Sequence, residues 1–264
     1  MTMSKPQRRF ESHADLAPEK VRGLSADHPA ITEGRTLFPT TVVEAKTSPR
    51  LLVSGINQRK LGSKVVKGAW KGMPIYTLTL EERATCPTSC SHWADCYGNG
   101  MPYSRRHKHG EDLEEKLWAE LAVKNILHPS GFVVRLHILG DFYSADYVSL
   151  WLNAMVWFPA LRVFGYTARE PDTEIGSAIV SINAAYPDRW VIRFSGDQIG
   201  PMRATTINFK PAAVVEGGIV CPVQTDKADC CGSCGLCWAD AAKDKAIIFI
   251  LHGQRFKGRP KAAL

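Results

Sequence analysis

The eight cysteines of this chain are the residues whose type and spacing most clearly indicate chemistry. The first group has the spacing Cys-x3-Cys-x5-Cys, and the second group ends in a Cys-x2-Cys-x2-Cys run. Disulfides are rare in intracellular proteins, so cysteines clustered in this way predict metal ligation. The groups are Cys86, Cys90 and Cys96, then Cys221, Cys230, Cys231, Cys234 and Cys237.

The first cysteine group offers three thiolates. Three protein ligands would leave one iron of a 4Fe–4S cluster open, and an open coordination position is what catalysis at a metal requires. A zinc ion at the same place would need a fourth ligand, for which His92, His107 and His109 are candidates. The group predicts a metal site without deciding which metal it holds.

The second cysteine group has the tight spacing by which one loop wraps an iron–sulfur cube. The fourth thiolate is expected from Cys221, which precedes Pro222, or from Cys230. Zinc is the alternative metal, because sites of four cysteines or of three cysteines and one histidine are common. His252 is the candidate histidine for such a zinc site.

Strands and helices alternate along the part of the chain that must position these cysteines. Strands followed by helices of 12–15 residues imply right-handed crossovers and a parallel sheet. The predicted fold is α/β, a partial (βα)6-type barrel with a C-terminal cysteine-rich segment and a basic N-terminal extension; a doubly wound open sheet is the alternative. The predicted strands are 74–80, 132–139, 161–168, 190–195, 218–220 and 246–251, and the predicted helices are 112–127, 145–158 and 173–186.

Polar side chains lie within these strands or directly after them. In a barrel, alternate side chains point inward, and the carboxyl ends of the strands form the mouth where chemistry takes place. The alternative is that these arginines and aspartates are buried structural ions. The residues are Arg135 and His137 on one strand, Tyr166 on the next, Arg193 and Ser195 on a third, and the dipeptides Gly140-Asp141 and Gly196-Asp197 at two strand ends.

The chain is divided into a basic leading part and a neutral body. Residues 1–35 lack periodicity and predict a mobile arm, and residues 36–264 predict one domain. Within that domain, 51–80 supplies the leading strands, 81–110 the first cysteine loop and 221–240 the second.

Charge is concentrated near the N-terminus. Residues 1–74 contain 13 Lys and Arg against 6 Asp and Glu, and so carry the whole net charge of +7. Basic residues around Trp70 are compatible with nucleic-acid binding, although a solubilising tail has the same composition.

The longest apolar run, 246–251, is far shorter than the roughly 20 residues that span a bilayer. The N-terminus lacks the apolar segment of a secretory signal, so we expect a cytoplasmic protein that is not inserted in a membrane.

A cysteine loop after the first strand, followed by Gly140-Asp141 at the end of the next, resembles the radical S-adenosylmethionine superfamily. The resemblance implies a (βα)6 partial barrel, a 4Fe–4S cluster on the first cysteine group, and S-adenosylmethionine cleaved at the open iron with an electron from a donor. Gly140-Asp141 would contact the methionine amine, Ser195 the ribose, and the second group would hold an auxiliary cluster. The third cysteine, however, comes three residues later than in that superfamily. The predicted site residues are Asp141, Arg193 and His137 as catalytic groups and Gly140, Asp141, Ser195 and Asp197 as cofactor contacts.

A closer likeness runs through Asn57, Lys60-Leu61-Gly62, the strand PIYTLTL and Thr85-Cys86-Pro87 to Cys96-Tyr97. This stretch resembles the gene 88 protein family of actinobacteriophages and prophages, and it implies a phage context. We therefore expect an iron–sulfur enzyme of radical type acting on a nucleic acid or nucleotide. The alternatives are a non-catalytic, metal-stapled nucleic-acid-binding protein and a zinc-containing base-exchange transglycosylase, with Asp141 or Asp197 as its nucleophile.

Overall fold

The computed structural model describes residues 23–58, 60–207 and 215–250. Ten strands and five helices occur in this part of the chain. The strands are β1 Val42–Val43, β2 Val53–Ser54, β3 Ile75–Thr77, β4 Arg106–His107, β5 Phe132–Leu136, β6 Leu161–Thr167, β7 Trp190–Ser195, β8 Arg203–Ile207, β9 Gly218–Val220 and β10 Ala246–Ile250. The helices are α1 Pro29–Thr32, α2 Glu111–Leu127, α3 Ala145–Trp157, α4 Glu174–Ala185 and α5 Cys231–Cys234.

Eight of the strands form one mixed sheet with the order β2-β3-β5-β6-β7-β8-β10-β9. Only β2 runs antiparallel to its neighbour, and every other pair is parallel. Helices α2, α3 and α4 are the crossovers between β3, β5, β6 and β7, as the alternating pattern predicts. The fold is therefore mixed α/β, and the described strands form a ladder with two ends rather than a closed barrel.

The three long helices begin and end close to the predicted positions because their signals are local. The Ser144 hydroxyl accepts a 3.0 Å hydrogen bond from the backbone N–H of Tyr147 and caps α3. Thr173 caps α4 in the same way through Gly176. None of the described helices is long and apolar enough to cross a membrane.

The two faces of the sheet are covered by different material. Phe132, Val134 and Leu136 of β5 face the three long helices in the larger core, and we call this side the helix face. Val133 faces a smaller core on the other side, together with Phe164. Because all three long helices pack on one face, the described chain does not have the doubly wound arrangement, in which helices cover both faces.

The smaller core lies under the second cysteine segment, and we call this side the cysteine face. Trp70 stacks on Trp238 with ring centroids 5.2 Å apart and an interplanar angle of 7°. Trp238 also packs against Phe164 of β6, 4.5 Å between centroids. Trp70, whose basic neighbours are compatible with nucleic-acid binding, is itself buried here.

Three segments differ from the sequence-based expectations. Strand β5 ends at Leu136 rather than at residue 139, and Gly140 follows with a positive φ of 82°. Strand β8 was not predicted, because its sequence RATTI is largely polar and no helix separates it from β7. Residues 23–35 of the predicted mobile arm contain helix α1 and an ion pair from Arg35 to Glu81; residues 1–22 lie outside the described part.

Candidate metal centres

The first cysteine group lies in the loop that follows β3, at the carboxyl end of the sheet. Burial raises the pKa of the Cys86 thiol, and the negative charges of Asp141, Cys96 and Cys90 raise it further. Burial likewise raises the pKa of Cys96 to about 11, although the Gly98 N–H opposes this shift. The three thiols and one carboxylate are therefore close enough for the ionisation of one to oppose that of the others.

Asp141 is held in a fixed position beside these thiols. Its Oδ1 accepts hydrogen bonds of 2.7 Å from the Thr167 hydroxyl and from the N–H of Phe142, and its Oδ2 accepts one of 2.7 Å from the N–H of Ala168. Burial raises its pKa to about 6, against the lowering effect of these donors and of Arg169. A group with this pKa can take or release a proton near neutral pH.

Gly140 allows the strand end to approach the cysteine loop. A Cβ at this position would lie 2.6 Å from both the Leu80 Cβ and the Thr85 Oγ1. The Thr85 hydroxyl is also 3.1 Å from the backbone nitrogen of Asp141. The Gly140-Asp141 dipeptide is thus packed against the residue that precedes Cys86.

Buried charges that were not predicted from the sequence hold this loop. Glu82 forms a two-point ion pair with Arg106, at 2.6 and 2.9 Å, with both side chains essentially unexposed. Arg106 also donates to the carbonyls of Gly98, Met101 and Ser104, which follow the third cysteine. The available signal was the triplet Glu81-Glu82-Arg83, three charges directly after an apolar strand.

The other two members of the triplet fix the start of the loop. Glu81 pairs with Arg35 at 2.7 Å. Arg83, in a left-handed conformation with φ 64°, donates to the Trp93 carbonyl, to the Arg35 carbonyl and to the Asn99 side chain. The cysteine loop is therefore bound at both ends by buried side chains.

The histidines proposed as a fourth zinc ligand have other partners. His92 lies 3.2 Å from an Asp95 carboxylate oxygen and 3.1 Å from the Thr206 hydroxyl. The Nε2 of His107 lies within hydrogen-bond distance of the Ser48 hydroxyl, and its Nδ1 lies within hydrogen-bond distance of the Thr79 carbonyl oxygen. His109 packs against the Tyr143 ring, 5.0 Å between centroids. His252, the zinc candidate of the second group, lies outside the described residues.

The structure brings four thiols together on the cysteine face: Cys221, Cys231, Cys234 and Cys237. Burial is the largest cause that raises the pKa of the Cys231 thiol. The charge of Cys237 is the next cause, and the charge of Cys221 also raises this pKa. The charge of Cys221 also raises the pKa of Cys234 and of Cys237, whereas Cys230 contributes only to that of Cys234. The environment therefore favours Cys221 over Cys230 as the fourth member of the group.

Backbone hydrogen bonds hold the second group in place. The N–H of Cys231 donates to the Lys60 carbonyl at 2.7 Å, and that of Gly232 donates to Leu61 at 2.9 Å. Gly232 itself accepts from Val66 at 2.9 Å, and a Cβ at Gly232 would lie 2.2 Å from the Lys64 carbonyl oxygen. Helix α5 thus docks directly on the segment after residue 60.

Arg193, predicted as a catalytic residue, lies fully buried at the second group. Its guanidinium donates three hydrogen bonds of 2.9 Å, to the carbonyls of Cys237, Ala242 and Lys245. These bonds occupy all three of its nitrogens and hold the segment that leads into β10. Arg193 therefore binds the backbone of the segment that contains Cys237, and its catalytic role stays a prediction.

Tyr166 and Arg135 complete the surroundings of the second group. The Tyr166 hydroxyl donates to the Cys237 sulfur at 2.8 Å. The Arg135 guanidinium lies 4.7 Å from the centroid of the Tyr166 ring, a cation–π contact. Neither residue was assigned to a metal site from the sequence, although both were recognised as polar residues within strands.

His137, the other predicted catalytic group, packs on the helix face, although the charge of Arg135 still acts on it. Because β5 ends at Leu136, the strand alternation stops before His137, and its ring packs instead against Phe142 and Tyr147 on the helix face. Its Nε2 lies 3.1 Å from the Tyr147 oxygen, and burial lowers its pKa to about 3. The imidazole is therefore neutral at physiological pH.

The second Gly-Asp dipeptide differs from the first. Ser195 is half-buried at the end of β7, and Asp197, two residues further on, is exposed. The sequence repeats the dipeptide, but only Asp141 is enclosed beside thiols.

The comparisons give a family for the chain. A family model described as Gene product 88 matches residues 50–229. The chain belongs to the Gene product 88 family. No curated protein and no solved structure matches the chain.

The Gene product 88 match covers the first cysteine group, Asp141 and Cys221, and it ends just before the run from Cys230 to Cys237. In the described part of this family member, all eight cysteines are free thiols. No group of three or more His, Cys, Asp or Glu side chains in that part is arranged to hold a single metal ion. The donor set of each group, partly buried thiols whose charges act on one another, has the chemistry of thiolate ligation.

Proposed function

We propose that this protein is an iron–sulfur enzyme of radical type. In this proposal Cys86, Cys90 and Cys96 hold a 4Fe–4S cluster with one open iron, at which S-adenosylmethionine binds next to Asp141. The second group holds a further cluster through Cys221 and the Cys-x2-Cys-x2-Cys run, with zinc as the alternative metal. The substrate is a nucleic acid or a nucleotide, in keeping with the basic N-terminal 74 residues.

The observation that carries this proposal is the position of Asp141. Its carboxylate is buried, fixed by three donors, and close enough to Cys86 and Cys90 to raise the pKa of both thiols. A buried carboxylate beside three thiols suits a ligand with a positively charged amine that also binds a metal. The methionine part of S-adenosylmethionine is such a ligand.

The residues of the chain have separate tasks in this proposal. Asp141 orients the amine, and Thr167 and the N–H of Ala168 hold the carboxylate in place. Arg169 braces the same loop by donating to the Thr85 and Phe142 carbonyls at 2.9 and 2.8 Å. When bound, the cluster would supply the electron that cleaves S-adenosylmethionine to a 5′-deoxyadenosyl radical.

The proposal includes a partial barrel as the scaffold. Helices α2, α3 and α4 all pack on one face of the sheet, and the thiol groups lie at its carboxyl edge and on its other face. A (βα) barrel has the same distribution, with helices outside and functional groups inside and at the mouth. This one-sided distribution supports the barrel as the finer description of the fold.

The test begins with anaerobic purification of the full chain and measurement of iron, sulfide and zinc. We expect about eight irons and eight sulfides per chain, as two cubane clusters require. With S-adenosylmethionine and a one-electron reductant, the protein should form 5′-deoxyadenosine. The Asp141→Asn variant should keep its iron but form 5′-deoxyadenosine at least tenfold more slowly.

Asp172→Asn is the matched control, because Asp172 is an exposed aspartate in the loop after β6. It should behave as the unmodified protein. Zinc in place of iron, or undiminished 5′-deoxyadenosine formation by Cys86→Ala, would refute the radical mechanism.

A second candidate function, nucleic-acid binding without catalysis, is favoured by the surface beside the second group. Lys64, Lys67 and Lys71 are exposed on the segment that docks helix α5. If they contact phosphates, changing all three to alanine should reduce the slope of log affinity against log salt concentration by about 2–3. An unchanged slope with duplex or single-stranded oligonucleotides would exclude this surface.

A further inference from the structure

Large apolar side chains are exposed on the outer side of helices α2 and α3. Six of the twelve exposed large apolar residues in the described part of the chain lie on the C-terminal halves of these two helices, with exposed fractions of 39–77%. Single exposed apolar residues are normal on a protein surface, but a group of this size on one face marks an interaction site. We call this group the apolar patch, and its members are Val123, Ile126, Leu127, Leu152, Val156 and Trp157.

The two halves of the apolar patch are held side by side by the packing between the helices. The Trp118 ring of α2 contacts the ring of Phe158, which directly follows α3, with 4.8 Å between centroids. The Asn125 side chain of α2 accepts a 3.1 Å hydrogen bond from the backbone N–H of Ala160. The C-terminal turns of α2 and α3 are therefore neighbours, and their exposed side chains lie on one surface.

The surroundings of the apolar patch carry little charge. Residues 147–161 of α3 and the loop after it contain no charged residue, and neither do residues 175–187 of α4 and its C-terminal end. Lys124 is the one charged residue in the last two turns of α2, and its ammonium group lies over the Tyr76 ring, 4.2 Å from the centroid. The exposed carboxylates of the three helices lie instead in their first turns or directly after: Glu111, Glu115, Asp146 and Glu174.

A second copy of this chain fits such an uncharged surface. In a two-fold symmetric dimer the same patch meets itself, so a charge near the symmetry axis would face a like charge. Homodimer interfaces are accordingly more apolar than other protein interfaces, and aromatic residues are enriched at their centres. Trp157, which is 70% exposed, supplies such an aromatic anchor.

The extent of the apolar patch also agrees with a dimer interface. Each partner contributes roughly 800 Å² to an interface of standard size. Six large apolar side chains form the centre of such an area. Exposed polar side chains on α3, Ser149 and Asn153, begin the rim that a stable interface has around its apolar centre.

We infer that the protein is a homodimer joined through the apolar patch, with α2 and α3 of one copy packed against α2 and α3 of the second. This inference goes beyond the proposed function and requires no metal. The crossover helices end at the amino edge of the sheet, whereas the cysteine groups lie at its carboxyl edge and on the cysteine face. The dimer therefore leaves both cysteine groups of each copy outside the interface.

The test is the mass of the unmodified full chain in solution, measured by sedimentation equilibrium over a range of micromolar concentrations. We expect twice the 29.2 kDa of one chain. Trp157→Glu places a carboxylate in the apolar patch and should raise the dimer dissociation constant roughly 30-fold or more, as loss of a central anchor does. Ile126→Glu should act in the same direction from the neighbouring helix. Tyr103→Glu is the matched control, because Tyr103 is an aromatic residue, 94% exposed, in the loop before β4.

A dimer that both patch variants weaken and Tyr103→Glu does not weaken supports the inference. A monomer at every concentration overturns it, and so does a dimer that both patch variants leave intact, because its interface then lies elsewhere. Circular dichroism should show unchanged helix content in all variants, since the altered side chains are exposed; a glutamate variant that loses helix content is replaced by the alanine substitution at the same position. Iron, sulfide and zinc contents should be the same in dimer and monomer, so the proposed function stands or falls separately.

Discussion

The two cysteine groups use the same side chain in contrasting surroundings. The first group is bordered by the carboxylates of Asp141 and Glu82, and the second by the guanidinium groups of Arg135 and Arg193. Both are buried enough to raise thiol pKa values, so burial alone does not separate them. Their difference lies in how the neighbouring charges are partnered: Glu82 is paired with Arg106 and Asp141 lies near Arg169, whereas Arg135 and Arg193 form no ion pair with a carboxylate within the described residues.

The two groups also differ in how the chain holds them. Side-chain ion pairs, above all Glu82 with Arg106, fix the loop of the first group. Backbone hydrogen bonds to residues 60–66 hold the second, with Arg193 bound to carbonyls. Single substitutions should therefore disturb the first scaffold more readily, because one side chain can be removed from an ion pair but backbone bonds persist.

The largest expected effect concerns the membership of the second group. Cys221 acts electrostatically on all three cysteines of the Cys-x2-Cys-x2-Cys run, whereas Cys230 acts on Cys234 alone. Cys221→Ser should abolish metal binding at the second group and so halve the iron per chain, while Cys230→Ser should leave it unchanged. Iron analysis after anaerobic purification measures both, and the reverse pattern would assign the fourth thiolate to Cys230.

The next effect tests the scaffold of the first group. Glu82→Gln keeps the shape of the side chain but leaves Arg106 buried without its partner, which costs about 3–5 kcal/mol. We expect the free energy of unfolding, measured by denaturant titration, to fall by this amount. The metal centre at the first cysteine group should be lost at a lower denaturant concentration than the centre at the second group.

The control for Glu82→Gln is Glu44→Gln. Glu44 pairs with Lys108 at 2.9 Å, but both side chains are about half exposed, at 55% and 54%. An exposed pair contributes about 0–1 kcal/mol, so this variant should be nearly neutral. Equal losses in the two variants would show that burial of the Glu82 pair has no special importance.

Much of the fold was predictable because its signals are local. The cap residues Ser144 and Thr173 and the apolar spacing of α2 give the helices, and the alternation with apolar strands gives the parallel sheet. The clustering of the cysteines in sequence already separated the two groups. Strand β8 was missed because RATTI lacks the apolar content of its neighbours and no helix separates it from β7.

The site was predictable only in part, because partners far apart in sequence decide it. Asp141 was recognised from its place at a strand end, but the burial of Glu82 depends on Arg106, 24 positions away. His137 and Arg193 were chosen by strand alternation, which gives a face but not a partner. The structure shows Arg193 bound to carbonyls and His137 packed on the helix face.

The two Gly-Asp dipeptides permit a smaller, sharper comparison. Gly140 has a φ of 82°, and an added Cβ would meet Leu80 and Thr85 at 2.6 Å, whereas nothing lies within 4 Å of a Cβ at Gly196. Strain and overpacking together should make Gly140→Ala about 2–5 kcal/mol less stable, and Gly196→Ala should be close to neutral. Thermal or denaturant unfolding measures both, and equal stability would contradict the close approach to the cysteine loop.

The smallest effect concerns the pH dependence of stability in the metal-free protein. Burial raises the pKa of Asp141 to about 6, so the folded protein keeps this proton at pH values where the unfolded chain, with a pKa of about 3.9, has lost it. The resulting stabilisation is fully present below about pH 4 and is lost as the pH rises through about 6. The free energy of unfolding of the unmodified protein, minus that of Asp141→Asn, should fall by on the order of 2 kcal/mol between pH 4 and 7.

Asp172→Asn, at an exposed position, supplies the baseline. A difference that rises with pH would mean that the donors from Thr167, Ala168 and Phe142 outweigh burial, and Asp141 would then be a permanent carboxylate beside the first cysteine group rather than a group poised to exchange a proton.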